Sequence, residues 1–290
     1  MTDINGWEAR MTINGNVVEF ISSSITEVSE IIQDDGLRGT RTRQMERVAL
    51  GQTKVGGDIV FSPTQVELGY ILPYALNSSS ANYTLTDQMA DVTIVLDLGA
   101  RANIGYTYVG RFSMVKYEGG PGEKMKLTVS FVGKTLAIGS GGTISTAADV
   151  TQREYMFSDS GSGITIGGTQ YSFDKFEFTC DNKINPTFLQ GRTATDLESS
   201  DRVITLACQT KYTPTESGLL VIERAGPIIG SPLTASIAFT NGTNTLSFTF
   251  AALVATPRSA AIPGRDHVRL PLEFYCFGVG ANKEMILTNS

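Results

Sequence analysis

The sequence predicts an all-β protein made of two similar domains in tandem, and three observations support this. Apolar residues alternate with polar ones along many segments, which is the pattern of half-buried strands. Helical periodicity is nearly absent from the 290 residues. Short features recur in the same order in the two halves of the chain, and each half is long enough to bury a core of its own.

Four segments show the alternation most clearly. Ile104–Met114 and Met125–Phe131 carry mostly apolar residues at every second position, as do Val92–Leu98 and Leu246–Ala252. Each strand is therefore expected to have one buried and one wet face. Only 18% of the residues are charged and 30 are glycine, a composition that favours strands and turns over surface helices.

Each half is also expected to contain one short α-helix. Ser62–Gln65 and Thr213–Glu216 both place a hydroxyl residue at the N-cap, proline at the first helical position and Gln or Glu three residues after the cap. Pro73 is expected to end the first helix, and Gly226 with the proline after it the second.

Other features repeat in the same order and indicate an internal duplication. The tripeptide Gln52–Lys54 returns at Gln209–Lys211, and the turn Pro121–Gly122 returns at Pro263–Gly264. Glycine and serine are concentrated between the halves. We therefore expect a first domain at residues 1–140, a Gly/Ser-rich linker at 141–162 and a second domain at 163–290.

The sequence contains no arrangement typical of catalysis, cofactor binding or metal binding. His267 is the only histidine, which excludes His-rich metal sites. A serine triad would need this histidine and a serine on a strained turn, and the sequence contains no Gly-x-Ser-x-Gly motif. The glycine-rich run Ser160–Gly168 lacks the Lys-Ser/Thr of a phosphate loop. We expect a protein that is not an enzyme and has no cofactor.

Three cysteines, Cys180, Cys208 and Cys276, lie in the apolar register of strand-like segments. Their odd number and their placement favour buried free thiols over a disulfide. Synthesis in a reducing cytoplasm fits this expectation.

The net charge argues against tight binding of nucleic acid, and the lengths of the apolar runs argue against a membrane span. The formal charge is −6 and the pI is near 5, whereas tight DNA binding needs clustered basic residues. No apolar run reaches the ~18 residues of a membrane span. An acidic protein can still surround DNA without holding it.

A basic segment contains Arg38, Arg41, Arg43 and Arg47 without interleaved aromatic residues. Two readings have similar weight: an arm that docks on an acidic surface of a neighbour, and an exposed loop. DNA contact ranks below both.

The layout as a whole resembles the tail tube proteins of long-tailed phages. The similarity lies in a long polar excursion between early strands, a short Pro-capped helix, alternating strands closed by a Pro-Gly turn, and the doubling of this plan. Gly51–Ile59, leading into Phe61–Thr64, is the segment most similar to that family.

The resemblance implies a β-sandwich or barrel domain whose inner strands join those of neighbours into a closed barrel, with rings stacked into a tube. Many members have one such domain and form six-membered rings, so two domains per chain imply homotrimeric, pseudo-hexameric rings. Partners would be further copies of the chain and the tape measure, distal tail and terminator proteins. Double-stranded DNA would pass transiently, in a virion tail assembled in the host cytoplasm.

The resemblance also assigns provisional roles to particular residues. The arms, which would dock on an adjacent ring, would include Arg38, Arg41, Arg43, Gln190 and Arg192. The polar faces of the alternating strands supply candidates for the channel wall: Thr93, Asp97, Lys126, Thr128, Ser130, Ser247, Thr249, Arg269 and Glu273.

Two alternatives remain open at this point. A tail hub or distal ring component built from the same domain would make one closed ring and stop. A tandem sandwich that binds carbohydrate or mediates adhesion would share the strands and turns, and exposed aromatic platforms would favour it.

Overall fold

The computed structural model describes residues 8–32, 45, 48–76, 78, 82–87, 89–99, 102–144, 151–161, 163–211, 218–219, 232–256, 268–280 and 283–290. Within these residues the chain consists mainly of antiparallel strands, with one complete α-helix and a 3₁₀ turn at Phe157–Ser160. The all-β prediction is confirmed. We call residues 8–144 the N-terminal half and residues 151–290 the C-terminal half.

The elements of the N-terminal half are β1 (Arg10–Ile13), β2 (Asn16–Val18), β3 (Ser22–Ser23), β4 (Thr26–Ile32), β5 (Ala49–Phe61), α1 (Gln65–Ala75), β6 (Asn82–Thr84), β7 (Val92–Asp97), β8 (Gly105–Gly119) and β9 (Lys126–Gly139). Those of the C-terminal half are β10 (Ile164–Ile166), β11 (Thr169–Tyr171), β12 (Lys175–Asp181), β13 (Ile184–Thr187), β14 (Asp196–Ser199), β15 (Val203–Lys211), β16 (Leu233–Asn241), β17 (Asn244–Ala255), β18 (Arg269–Phe277) and β19 (Met285–Asn289).

The strands of the two halves pair in the same order. In the N-terminal half the pairing runs β2–β1–β7–β8–β9–β5, and β5 then pairs with β3 and β4. In the C-terminal half it runs β11–β10–β16–β17–β18–β15–β12. β19 also pairs with β17 and continues the line of β18, so the two together correspond to the long β9. The first hairpins of both halves turn through two successive residues with positive φ, at Asn14–Gly15 and at Gly167–Gly168.

The first helix begins and ends two residues later than the sequence predicted. Thr64, not Ser62, is the N-cap: its Oγ1 accepts a hydrogen bond from the Glu67 N–H at 3.3 Å, and its own N–H donates to Glu67 Oε2 at 2.9 Å. Pro63 therefore precedes the cap, and the Glu67 carboxylate also accepts from the Glu19 N–H, which ties the start of α1 to the end of β2. Pro73 lies inside the helix, which ends at Ala75.

The second predicted helix and the predicted linker lie only partly within the described residues. Thr213–Glu216 falls outside them, but Gly218 and Leu219 are helical and Leu219 is fully buried. Of the linker, residues 151–161 pack on the turn between β8 and β9. Tyr155 there is buried, and its carbonyl accepts a hydrogen bond from the Met125 N–H at 2.8 Å.

Two antiparallel ladders join the two halves among the described residues, a short one between β6 and β19 and a longer one between β8 and β12. The C-terminal end of β8 pairs with β12 in six consecutive positions, from Met114 opposite Asp181 to Gly119 opposite Phe176. β9 lies along the other edge of β8, and β15 along the other edge of β12. Most buried apolar residues of both halves consequently form one continuous cluster, and Ile184, Ala194 and Leu197 form a small second one.

Asn182 closes the end of this ladder. Its side chain is buried, and its amide nitrogen donates to the carbonyls of Ala75 and Phe112, both at 3.2 Å. Its backbone N–H donates to the Ser113 carbonyl at 2.7 Å. A single side chain from the C-terminal half thus satisfies the end of α1 and the middle of β8.

We predict that Asn182→Ala lowers the free energy of unfolding by about 1–3 kcal/mol, because it leaves two buried carbonyls without donors. Urea denaturation of the purified chain measures the effect. Asn185→Ala, at an exposed position of β13, is the matched control and should change the midpoint little. Equal effects of the two substitutions would contradict this role of Asn182.

Candidate functional site

The joined halves share one continuous sheet of eight strands. Its order is β4–β5–β9–β8–β12–β15–β18–β17, and every neighbouring pair is antiparallel. One face carries the large buried side chains, among them Phe131, Tyr117, Phe178 and Phe274. The opposite face is polar across the central strands.

The register aligns this polar face in rows that cross both halves. One row runs through Thr128, Lys116, Thr179, Thr205 and Tyr275, each directly opposite the next. The adjacent row runs through Lys126, Glu118, Glu177, Ala207 and Glu273. Side chains directly opposite each other on neighbouring strands point to the same side of a sheet, so these residues form one surface. We call it the polar face.

Two lysines of the polar face, Lys116 and Lys175, are paired with carboxylates. Lys116 Nζ lies 2.8 Å from Glu118 Oε2 and 3.5 Å from Glu177 Oε2, and Lys175 Nζ lies 3.2 Å from the same Glu177 oxygen. Partial burial lowers the pKa of Lys116, but the two carboxylates outweigh it, and the pKa is raised above its ordinary value. Arg269 forms an ion pair with Asp174 at 2.7 Å, at the edge of the face.

The polar face therefore carries charged side chains of both signs without an excess of positive charge. Lys116 separates two glutamates that stand directly opposite each other and would otherwise repel. A polyanion such as a nucleic acid would need unpaired basic side chains to bind tightly. This surface can stay wet and contact a polyanion without retaining it.

The chain matches the protein-family model described as "Phage tail tube protein" over residues 8–276. The chain belongs to the phage tail tube protein family. This family is structural and not enzymatic, so the chain is a structural component of the virion tail that associates with itself and with other tail components. A search of curated proteins finds no match.

The tail tube fold brings together five of the nine residues predicted for a channel wall. Lys126, Thr128 and Ser130 of β9 and Arg269 and Glu273 of β18 lie on the sheet positions that alternate with the buried side chains. Ser130 Oγ also donates a hydrogen bond to Asp58 Oδ1 on β5 at 2.6 Å. These five residues stay candidates for the wall.

The other four lie elsewhere. Thr93 is on β7, where its N–H donates to Asn14 Oδ1, and Ser247 and Thr249 are on the part of β17 that pairs with β16 and β19. None of these segments belongs to the shared part of the sheet. Alternation in the sequence identifies the polar face of a strand. It does not show whether that strand belongs to the shared part of the sheet.

Asp97 is a correction to the predicted wall. Its side chain is only 1% exposed, and its carboxylate accepts hydrogen bonds from the N–H groups of Gly99, Gly142, Thr143 and Ile144 at 2.7–3.0 Å. The carboxylate thus fixes the end of β7 to the segment that follows β9. Burial raises the pKa of Asp97, but the four donors outweigh it and lower the pKa to about 2.

Of the predicted arm residues, the structure describes Gln190 and Arg192. Arg192 is engaged within its own chain, because its Nε donates to the Gly51 carbonyl at 3.1 Å and its carbonyl accepts from the Thr53 N–H at 2.7 Å. The loop after β13 therefore docks on β5 of the N-terminal half. Gln190 is exposed, as is the neighbouring Leu189. Arg38, Arg41 and Arg43 lie outside the described residues.

The described residues contain no group of His, Cys, Asp and Glu side chains arranged to hold a metal ion. Cys180, Cys208 and Cys276 are buried and free of disulfides, as predicted. Burial raises the pKa of Cys180 to about 12, so it is not a reactive thiol. No helix in the described parts of the chain has the length and hydropathy of a membrane span.

We predict that Asp97→Asn destabilises the chain by about 2 kcal/mol at pH 7, since the folded pKa is about 2 and the ordinary value is 3.8. A depressed pKa contributes stability above the ordinary pKa, and the contribution disappears as pH falls through the folded value. The difference between wild type and variant should therefore shrink below about pH 4 and vanish near pH 2. Thermal unfolding across this pH range measures it.

Asp87→Asn is the control, because Asp87 is exposed and its ion pair with Lys283 is on the surface. It should show little effect at any pH. A constant difference between Asp97→Asn and wild type from pH 7 to pH 2 would contradict the assignment.

Proposed function

We propose that three copies of this chain close their shared sheets into one barrel, that the barrels stack into the tail tube, and that the polar face lines the channel for DNA. The observation that carries this proposal is the continuous eight-stranded sheet with one apolar and one polar face. The side chains of the apolar face are buried in the core, so the polar face is the side available to a channel.

The pairing order supports an internal duplication as the basis of the ring. Each half contributes four strands to the shared sheet, β4, β5, β9 and β8 from one and β12, β15, β18 and β17 from the other. The first hairpins of the two halves also match, because Asn14–Gly15 and Gly167–Gly168 both turn through two residues with positive φ. Three chains would then supply six equivalent units, which gives a trimeric ring with pseudo-sixfold symmetry.

Barrel geometry favours three chains over two. With strands ~4.8 Å apart and tilted by ~40°, the 24 strands of a trimer enclose a barrel of roughly 50 Å between backbones, and the 16 strands of a dimer enclose roughly 30 Å. Side chains on opposite walls fill about 10 Å of either width. The wider channel leaves room for a hydrated double helix, and the narrower one does not.

A ring of this kind also accounts for the open ends of the sheet. A sheet with two long exposed edges is prone to uncontrolled association, and closure into a barrel removes both edges. Assembly in the host cytoplasm, with the tape measure, distal tail and terminator proteins setting length and ends, completes the proposal. DNA passes through without specific binding.

Electron microscopy and mass measurement of the concentrated protein test this function. Hollow filaments of constant width, built from rings with the mass of three chains, are the expected result. Single closed rings that never stack would favour a hub or distal ring component. A chain that stays monomeric with and without an assembly initiator would contradict self-assembly.

We predict that Glu118→Gln with Glu177→Gln makes the polar face retain DNA, because the pair leaves Lys116 and Lys175 without their partners. Fluorescence anisotropy of a short labelled duplex, at low and moderate salt, measures binding to the unassembled chain and to tubes. Wild type should bind weakly at both salt concentrations, and the double variant should bind at low salt and lose binding as salt rises.

Glu154→Gln is the matched control, since it frees Lys124 of its ion pair away from the polar face. It should behave as wild type. DNA binding by the double variant that is no tighter than that of the control would contradict the role of the Lys116 and Lys175 ion pairs in preventing DNA retention.

A further inference from the structure

We infer that the hairpin made of β13 and β14 lies inside the channel, where three such hairpins form a collar that is the narrowest part of the tube and the part that DNA approaches most closely. This rests on the proposed function, because it requires the polar face to line the channel. It adds a second layer of chain to one end of that wall.

The hairpin is a separate element of the fold. Within the described parts of the chain, β13 and β14 pair only with each other, in a two-stranded sheet apart from the large one. Ile184, Ala194 and Leu197 form a small buried cluster of their own beneath it. A two-stranded hairpin alone is marginally stable in water, so this one depends on the surface on which it lies.

That surface is the polar side of β9. Val132 packs against the buried cluster of the hairpin. It alternates with the buried Phe131 and follows the same alternation as Thr128, so it points to the side of the sheet that carries the polar face. Both strands of the hairpin lie against β9, and β13 also lies against β8. The hairpin therefore covers one end of the polar side of the N-terminal half.

Ion pairs join the hairpin to the basic side chains beneath it. The guanidinium of Arg111 on β8 donates a hydrogen bond to the Leu197 carbonyl, and its Nε lies 2.7 Å from Asp91 Oδ1. Lys134 Nζ lies 2.9 Å from Asp91 Oδ2 and 3.6 Å from Asp196 Oδ1 on β14. The side chains of Arg111 and Lys134 are each only 20% exposed. Two basic groups at this end of the wall are thus covered and paired with carboxylates.

The loop between the two strands provides a second attachment. Arg192 Nε donates to the Gly51 carbonyl, and the Arg192 carbonyl accepts from the Thr53 N–H. Both contacts lie on the stretch of β5 that precedes Val55, where the pairing of β5 with β9 ends. The hairpin is therefore held on β9 and on β5 at the same time.

The exposed side of the hairpin replaces these basic groups with other polar ones. Asn185 and Glu198 lie directly opposite each other and are both exposed. They alternate with the buried Ile184 and Leu197, so they point away from β9. An amide and a carboxylate thus face the channel at the level where Arg111 and Lys134 would otherwise do so. A polyanion that touches this surface meets no excess of positive charge.

The thickness of a second layer makes the collar the narrowest point. Stacked sheets lie about 10 Å apart, so each hairpin brings the wall inward by that distance. In a barrel of roughly 50 Å between backbones, with side chains filling about 5 Å on each side, the circle that touches three hairpins has a diameter of roughly 20 Å. This is close to the width of a DNA double helix. The uncovered part of the polar face stays farther from the DNA.

Labelling of single cysteines in assembled tubes tests the location of the hairpin. Asn185→Cys places a thiol on its exposed side, and Thr128→Cys places one on the polar face. Thr240→Cys places one on the face that carries Ser247 and Thr249, where Thr240 is exposed. The native cysteines are buried. A small maleimide can enter the channel, whereas a maleimide on a large polyethylene glycol cannot.

In unassembled chains, both reagents should label Asn185→Cys and Thr240→Cys. In tubes, the large reagent should label Thr240→Cys alone, and the small reagent should still label Asn185→Cys.

The other outcomes separate this inference from the proposed function. Protection of Thr128→Cys with full labelling of Asn185→Cys by the large reagent would overturn the collar and leave the polar face in the channel. Protection of Asn185→Cys from both reagents would place the hairpin between subunits and would also overturn the collar alone. Full labelling of Thr128→Cys by the large reagent, or the absence of tubes, would overturn the proposed function and the collar with it.

Release of the hairpin tests its shielding role without assembly. Leu197 is fully buried but belongs to the small cluster and not to the main core, so Leu197→Asp should undock the hairpin from a folded chain. Hydrogen exchange of residues 184–197 should become faster. Arg111 and Lys134 then face solvent with Asp91 as their one remaining carboxylate, and a labelled duplex should bind several-fold more tightly at low salt, as measured by fluorescence anisotropy.

Leu189→Asp is the matched control, because it adds the same charge at a loop position that is 72% exposed. It should leave both hydrogen exchange and DNA binding at the wild-type level. Faster exchange in Leu197→Asp without tighter DNA binding than in this control would contradict the shielding of Arg111 and Lys134. Unchanged exchange in Leu197→Asp would contradict the dependence of the hairpin on the surface of β9.

Discussion

The ladder between β8 and β12 is the constraint on which the rest of the structure depends. It joins the two halves into one sheet, and the apolar residues behind it into one core. Without it, the rows of the polar face would stop at the boundary between halves. It is also the longer of the two ladders that join the halves among the described residues.

The chemistry of the polar face follows from this joining. Lys116 of the N-terminal half and Glu177 of the C-terminal half meet only because β8 and β12 are neighbours. Their pairing balances charge across the boundary, which suits a surface that meets a polyanion and releases it. The same alternation that buries Tyr117 and Phe178 on one side leaves these charges on the other.

Much of this could be predicted from the sequence, and the remainder depends on pairing between distant strands. Period-two runs such as Met125–Phe131 predicted strands with one wet face, and the cysteines in apolar register are buried as expected. Asp97 was misassigned because alternation cannot reveal that four N–H groups, three of them more than forty residues away, converge on one carboxylate. The helix start was misplaced because Glu67, and not Gln65, completes the capping box.

The central claim is that two units of one chain, repeated three times, make a closed wall with the polar face inside. A cryo-electron microscopy reconstruction of the assembled tube tests it most directly. The account predicts three chains per ring, a continuous sheet through every boundary, and Lys116 and Glu118 turned towards the lumen. Six chains per ring, or a lumen lined by the face that carries Ser247 and Thr249, would contradict it.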